Sequence, residues 1–94
     1  RILKTTAAQA YLGVAYANGQ GVAQDNEQAA YWFRLGAEQG DAESQRNLGV
    51  LYESGRGVAV DHEQAAHWYR LAANQGSAAA QCNLGCAYEN GQGV

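Results

Sequence analysis

Few residues in this chain could carry chemistry, and the most distinctive are two cysteines and two histidines. Cys82 and Cys86 lie four positions apart, which is one turn of a helix. A disulfide at that spacing is geometrically poor, because the Cα–Cβ vectors of a regular helix do not converge. Two thiols alone also make a weak zinc site, since zinc normally takes four ligands. We therefore expect a structural or incidental role for both cysteines, as small hydrophobic side chains.

The histidines and the glycine-rich loops give no catalytic pattern. His62 and His67 each lack a Cys, Ser or carboxylate at a spacing that is typical of a triad or a metal site. The Gly-x-Gly-Val loops resemble phosphate-binding turns only superficially, because no strand precedes them and no Gly-Lys pair follows. We predict that the chain is not an enzyme and uses no cofactor or metal ion.

The elements that must position these residues repeat every 36 residues. The Leu-Gly pairs that begin at Leu12, Leu48 and Leu84 are in step, and residues 12–47 are identical to residues 48–83 at 22 of 36 positions. A period of this length predicts stacked units, each of which needs a neighbour to bury its apolar face.

Each unit contains two predicted helices. In the second unit, Asp41 can cap a first helix (helix A) that Gly55 ends in the left-handed conformation. Asp61 then begins a second helix (helix B) in a variant of the capping box with Gln64, and Gly76 ends it. The pattern predicts an all-α fold, built as an α/α solenoid of two-helix units.

Glycines and aromatic residues recur at fixed places in these helices. Gly13, Gly49 and Gly85 follow the leucine in the middle of each helix A, where glycine costs about 1 kcal/mol relative to alanine. We expect another backbone, that of helix B, to lie against each of them. Trp32 and Trp68 fall on the apolar stripe of helix B, so core packing is favoured over a role as ligand-stacking platforms.

Composition excludes several classes of partner. The net charge is −3, and the six basic residues are scattered, which argues against nucleic acid binding. No apolar run approaches the roughly 20 residues of a membrane span. No targeting segment is visible, so the cellular compartment and its redox state stay open.

The chain is expected to form one repeat domain over residues 1–94. We divide it into units at 5–40 and 41–76 and a partial unit at 77–94, and because it starts at Arg1 we expect it to be part of a longer array. An uncapped last helix A would expose Leu84 and Tyr88, which predicts some self-association.

The motifs resemble the Sel-one-like repeat family, relatives of the tetratricopeptide repeats. The run AxxQxNLGxxYxxGxGVxxD is present from Ala42 to Asp61, and AxxWYRxAAxQG follows from Ala65 to Gly76. The resemblance implies a right-handed superhelical solenoid whose members act as adaptors or scaffolds. A cysteine-rich secreted subgroup bridges helix A to helix B within each unit, but here the matching helix B positions are Ala37 and Ala73, so that framework is absent.

The resemblance also implies a binding face. In tetratricopeptide arrays the ligand lies in the concave groove lined by A helices, where the residue before the Leu-Gly pair contacts peptide backbone. The corresponding positions here are Tyr11, Asn47 and Asn83. An amide both donates and accepts, which suits an extended peptide, although each Asn could instead form hydrogen bonds within the array.

Helical spacing adds other positions to that face. Arg46 and Val50 share it, as do Cys82 and Cys86, and Glu53 lies one turn beyond. Arg46 could bind a carboxylate or could simply be solvated, and with so few cations a strong carboxylate clamp is not expected. We predict a non-catalytic protein-interaction or adaptor module that binds a peptide or a partner helix; the alternative is a purely structural spacer.

Overall fold

A computed structural model describes residues 5–94, which form five α-helices of 13 residues each. The helices are α1 (Thr6–Asn18), α2 (Asn26–Glu38), α3 (Ala42–Ser54), α4 (His62–Asn74) and α5 (Ala78–Asn90). Each helix packs on the next one in the chain, and α1 also touches α3. Helices α1, α3 and α5 are the A helices and α2 and α4 the B helices, so the predicted all-α solenoid of 36-residue units is confirmed.

The ends of the helices follow the predicted capping chemistry. The Asp41 carboxylate accepts from the Ser44 amide and Asp61 accepts from the Gln64 amide, which satisfies amide groups that have no partner inside a helix. Gly55 ends α3 with φ of 72°. The reciprocal half of the capping box is not formed, because the Asp61 amide donates instead to the Tyr52 carbonyl oxygen at 3.0 Å.

The core lies between successive helices and is built from alanines, leucines and aromatic rings. Leu48 and Tyr69 are almost fully buried, and Phe33 is 3% exposed. Trp68 is 8% exposed and belongs to the core, as predicted, whereas Trp32 is half-buried and contacts the Tyr31 ring edge-on at 5.1 Å. In each of the first two units, helix B therefore buries an aromatic ring. This ring is larger than any side chain that helix A buries.

The mid-helix glycines accommodate rings, where we predicted backbone. A Cβ on Gly13 would lie 2.5 Å from the Phe33 ring, and one on Gly49 would lie 2.7 Å from the Tyr69 ring. Backbone comes close only at Gly49, with the Ala65 carbonyl oxygen at 3.2 Å. Nothing in residues 5–94 lies within 4 Å of a Cβ at Gly85. The prediction that backbone lies against these glycines is thus wrong for Gly13, where the neighbour is a ring. At Gly85 no close approach occurs within the described chain.

The loops join neighbouring units by backbone contact. A Cβ on Gly57 would lie 2.1 Å from the Asn26 carbonyl oxygen, and one on Gly93 would lie 2.2 Å from that of His62. Both glycines also have positive φ, 77° and 76°. In these two loops the second glycine is therefore required twice, by its conformation and by the start of helix B in the preceding unit.

Glutamine pairs provide a second link within and between units. The Gln39 amide donates to Gln9 Oε1 at 2.6 Å, and the Gln75 amide donates to Gln45 Oε1 at 2.9 Å. Gln45 is 4% exposed and also donates to the Ala37 carbonyl oxygen at 3.2 Å. These bonds satisfy amides that would otherwise be costly to bury. Among residues 5–94, no helix is long and apolar enough to cross a membrane.

Candidate functional site

A groove of about 170 Å³ lies between the two A helices α1 and α3, and we call it the α1–α3 groove. The most buried residue that lines it is Phe33 of α2, at 3% exposed, and we call this residue the floor; the walls come from both A helices. The residues that line it are Val14, Ala17, Asn18, Asn26, Phe33, Asn47, Val50, Leu51 and Arg56. The floor is apolar and the rim carries amides and one guanidinium, so the groove can hold an apolar group and hydrogen-bond to its surroundings.

The structure brings only some of the predicted site residues into this groove. Asn47 and Val50 line it, as their register on α3 predicts. Tyr11 is 68% exposed and lies instead beside a neighbouring depression of about 370 Å³, with Asp41 and Glu43. Val14 borders both sites and so connects them.

Arg46 and Asn47 contact each other. The Arg46 guanidinium donates to Asn47 Oδ1 at 3.0 Å, and both side chains are half-buried. The amide oxygen of Asn47 is therefore already bonded inside the array, as the structural alternative expected. Its NH₂ group remains the part that could donate to a bound carbonyl.

Asn83 differs from Asn47 in its bonding. Its Oδ1 is buried and accepts no hydrogen bond from any residue in the described part of the chain. An unsatisfied buried acceptor costs about 1–3 kcal/mol, so the half-buried Asn83 side chain would gain by turning Oδ1 outward to a donor from outside the chain. Asn83 is on α5, one unit beyond Asn47.

Glu53 and Tyr69 form a polar pair at the position that corresponds to the groove floor in the next unit. The Tyr69 hydroxyl donates to Glu53 Oε1 at 2.5 Å. Burial raises the pKa of Tyr69 well above its ordinary value, and the hydrogen bond and negative charge of Glu53 raise it further. The positive charge of Arg46 opposes this shift.

The remaining candidate groups are distributed without a catalytic arrangement. In residues 5–94, no three His, Cys, Asp or Glu side chains come together as a metal-binding group would require. His67 packs edge-on against Trp68 at 5.0 Å. Cys82 and Cys86 are free thiols and both are exposed, so neither packs as the small hydrophobic side chain that we expected.

Sequence reasoning missed several residues of the α1–α3 groove. Phe33 is a buried core residue of helix B and also lines the groove. Arg56 and Asn26 come from the loop and the start of α2. The available signal is the variation between units, because the equivalent positions hold Gln20, Tyr69 and His62.

A stack of two-helix units with a groove between its A helices defines an α/α repeat solenoid, a class that typically mediates protein interactions. The Sel1 repeat family matches residues 6–41, 42–77 and 78–94. The chain therefore belongs to the Sel1 repeat family, and the resemblance found from its motifs is confirmed.

Solved structures of this fold are similar over nearly the whole chain. One is c5321, a protective antigen present in uropathogenic Escherichia coli strains, at 46% identity and a TM-score of 0.93 over 95% of this chain and 19% of that one. Another is a Sel1 repeat protein from Oxalobacter formigenes, at 41% identity and a TM-score of 0.93 over 97% of this chain and 37% of that one.

A third similar structure is the Helicobacter pylori cysteine rich protein B, at 28% identity and a TM-score of 0.77 over 84% of this chain and 59% of that one. The chain thus spans about a fifth of the Escherichia coli antigen and just over a third of the Oxalobacter formigenes protein. It spans less than two thirds of the Helicobacter pylori protein. No curated protein matches the chain.

Proposed function

We propose that this chain is a non-catalytic protein-interaction module that binds an extended peptide or a partner helix along its A-helix face. The observation that carries the proposal is the Asn83 side chain, whose buried Oδ1 has no donor within residues 5–94. A peptide N–H is a donor of the required kind once the half-buried Asn83 side chain turns its Oδ1 outward, and Asn47, one unit earlier, has an NH₂ group that can donate to a peptide carbonyl. Two amides one repeat apart would thus fix a peptide backbone at two points.

The α1–α3 groove supplies the apolar contact that backbone hydrogen bonds alone do not give. Val14 and Val50, both half-buried, offer a surface for one aliphatic or aromatic side chain of the partner. Arg46, which donates to Asn47, and Arg56, which lines the groove, are the cations near this face among the described residues. Recognition by shape and backbone bonding is therefore favoured over recognition of an acidic motif, and Tyr11 and Glu53 extend the face on either side.

The test starts from a peptide selected on the wild-type chain from a random-peptide display library. Affinity for that peptide is then measured by calorimetry for the wild type and for the double variant Asn47→Ala, Asn83→Ala. We expect affinity to fall about 10-fold or more, because each lost hydrogen bond contributes about 0.5–1.5 kcal/mol. The fold should be retained, because Asn83 Oδ1 has no partner to lose in residues 5–94 and Asn47 loses only the hydrogen bond from Arg46.

The matched control replaces two exposed amides on the B helices, Gln28→Ala and Gln64→Ala, and should bind the peptide as the wild type does. Unchanged affinity in the asparagine variant would contradict the assignment of this face. If selection enriches no peptide at all, the interaction function fails and the chain acts as a structural spacer.

A further inference from the structure

The two cysteines lie on one face of a regular helix. Helix α5 is continuous from Ala78 to Asn90, and Cys82 and Cys86 are one turn apart on it. Side chains at this spacing have Cβ atoms about 5–6 Å apart and stand one above the other. Two bonds of about 2.3 Å from sulfur to one metal ion span at most about 4.6 Å, which sulfur atoms on these Cβ atoms can reach.

Both thiols are accessible from solvent. Neither forms a disulfide, and both side chains are exposed. Cys86 is on α5, the helix that packs against α4. The equivalent position on α3 is Val50, which stays half-buried although α3 has neighbouring helices before and after it in the stack. Arg46, the equivalent of Cys82, is half-buried too, so a further unit packed beyond α5 would leave both thiols partly accessible.

The thiol pair is specific to this unit. The same two positions hold Ala10 and Val14 on α1, and Arg46 and Val50 on α3. The repeat pattern therefore does not require sulfur at either place, and packing does not explain it because both side chains are exposed. What the pair adds to the surface is two soft ligands within reach of one ion.

We propose that Cys82 and Cys86 form a two-thiolate site that binds a soft monovalent metal ion, Cu(I). Soft thiolate ligands select Cu(I), and Cu(I) is satisfied by two of them, whereas zinc requires four. Binding releases the two thiol protons to solvent as two Cu–S bonds form, and the oxidation state of the metal does not change. This site is independent of the peptide-binding function.

The experiment measures Cu(I) binding to the reduced chain without oxygen, by competition with bathocuproine disulfonate. We expect one Cu(I) per chain. Once the ion is bound, neither thiol should react with a thiol reagent. Cys82→Ser and Cys86→Ser should each weaken affinity by at least about 100-fold, because loss of a second-shell group alone already costs 10–100-fold.

The matched control keeps two thiols but moves one, in the double variant Cys86→Ser, Glu89→Cys. The thiols are then seven residues and about 10 Å apart along the helix, too far to share one ion. Circular dichroism establishes that each variant is folded. Binding by this control as tight as that of the wild type would overturn the proposal, and so would a stoichiometry of one ion per two chains.

Discussion

The Tyr69 hydroxyl lies 2.5 Å from the Glu53 carboxylate, and the same two positions in the first unit hold Phe33 and Ala17. Both rings occupy the space that a mid-helix glycine leaves on the A helix. The Tyr69 hydroxyl and the Glu53 carboxylate therefore make this floor polar, whereas Phe33 and Ala17 make it apolar. The packing of the unit is the same in both cases. Adjacent units can in this way share one architecture and differ in what they bind.

Tyr69→Phe should lower the free energy of unfolding by about 1 kcal/mol, because it removes one hydrogen bond to a carboxylate and leaves the ring in place. Phe33 shows that the repeat accommodates the smaller side chain. Urea denaturation measures the change. The reverse variant Phe33→Tyr places a hydroxyl beside Ala17 and should also destabilise, and adding Ala17→Glu should restore most of the loss. Equal stability of Phe33→Tyr with and without Ala17→Glu would contradict the pairing of hydroxyl and carboxylate.

The same hydroxyl predicts a dependence of stability on alkaline pH. The pKa of Tyr69 is raised in the folded chain, while an unfolded tyrosine titrates near about 10. Below pH of about 10 both states keep the proton and the stabilisation is complete. Above it the unfolded state binds fewer protons, so stability falls as pH rises. Between about pH 9 and 11, thermal unfolding should show a steeper loss for the wild type than for Tyr69→Phe; parallel curves would contradict it.

A buried contact between units predicts that one substitution destabilises the wild-type chain but stabilises a variant of it. A Cβ on Gly36 would lie 2.5 Å from Ser44 Oγ, which is fully buried and donates to Asp41. In the next unit the same positions hold Ala72 and Ala80, both fully buried. Gly36→Ala should therefore destabilise the wild type by about 1–3 kcal/mol through overpacking.

In a Ser44→Ala background, the same Gly36→Ala change should stabilise the chain by up to about 1 kcal/mol. Alanine is the better helix former, the clashing oxygen is gone, and the remaining Cβ of residue 44, at 3.0 Å, need move only slightly, since Ala72 and Ala80 are both buried at these positions in the next unit. A double-mutant cycle from urea denaturation measures this coupling. Additive effects would show that the two residues do not share one space.

How much of this could be predicted from sequence depends on the range of each interaction. Asp41, Asp61 and Gly55 act on backbone within a few residues, so capping chemistry predicts both helices of the unit. The pairing of Gln45 with Gln75 joins residues 30 positions apart and depends on how the helices rotate against each other. No local pattern contains that information.

The candidate site shows the same division. Helical register predicts that Asn47 and Val50 share a face, and both line the α1–α3 groove. Register does not reveal that Arg46 binds Asn47, because neighbours on a helix point about 100° apart and only the length of the arginine side chain closes the gap. Nor does it reveal that Phe33 is a groove floor, which depends on the depth of packing between three helices.

The loop glycines allow a comparison of conformation with contact. Gly21 and Gly57 have nearly the same φ, 79° and 77°, but a Cβ would meet nothing within 4 Å at Gly21 and the Asn26 backbone at Gly57. Gly21→Ala should cost about 1–2 kcal/mol for the left-handed conformation alone. Gly57→Ala should cost clearly more, because the loop must also move away from α2. Thermal unfolding of the two variants measures the difference, and equal losses would show that the contact between units contributes nothing.

The exposed side of α5 predicts self-association of this 94-residue chain. Gly13 and Gly49 each face a ring, whereas no described residue covers Gly85, and Tyr88 is 59% exposed. A second copy can bury this apolar surface, so the weight-average mass from sedimentation should rise with concentration. Tyr88→Lys should reduce the effect, since burial of a charge is costly. The control Tyr31→Lys changes a tyrosine of similar exposure, 55%, on α2 and should leave association unchanged. A strict monomer at high concentration would contradict the prediction.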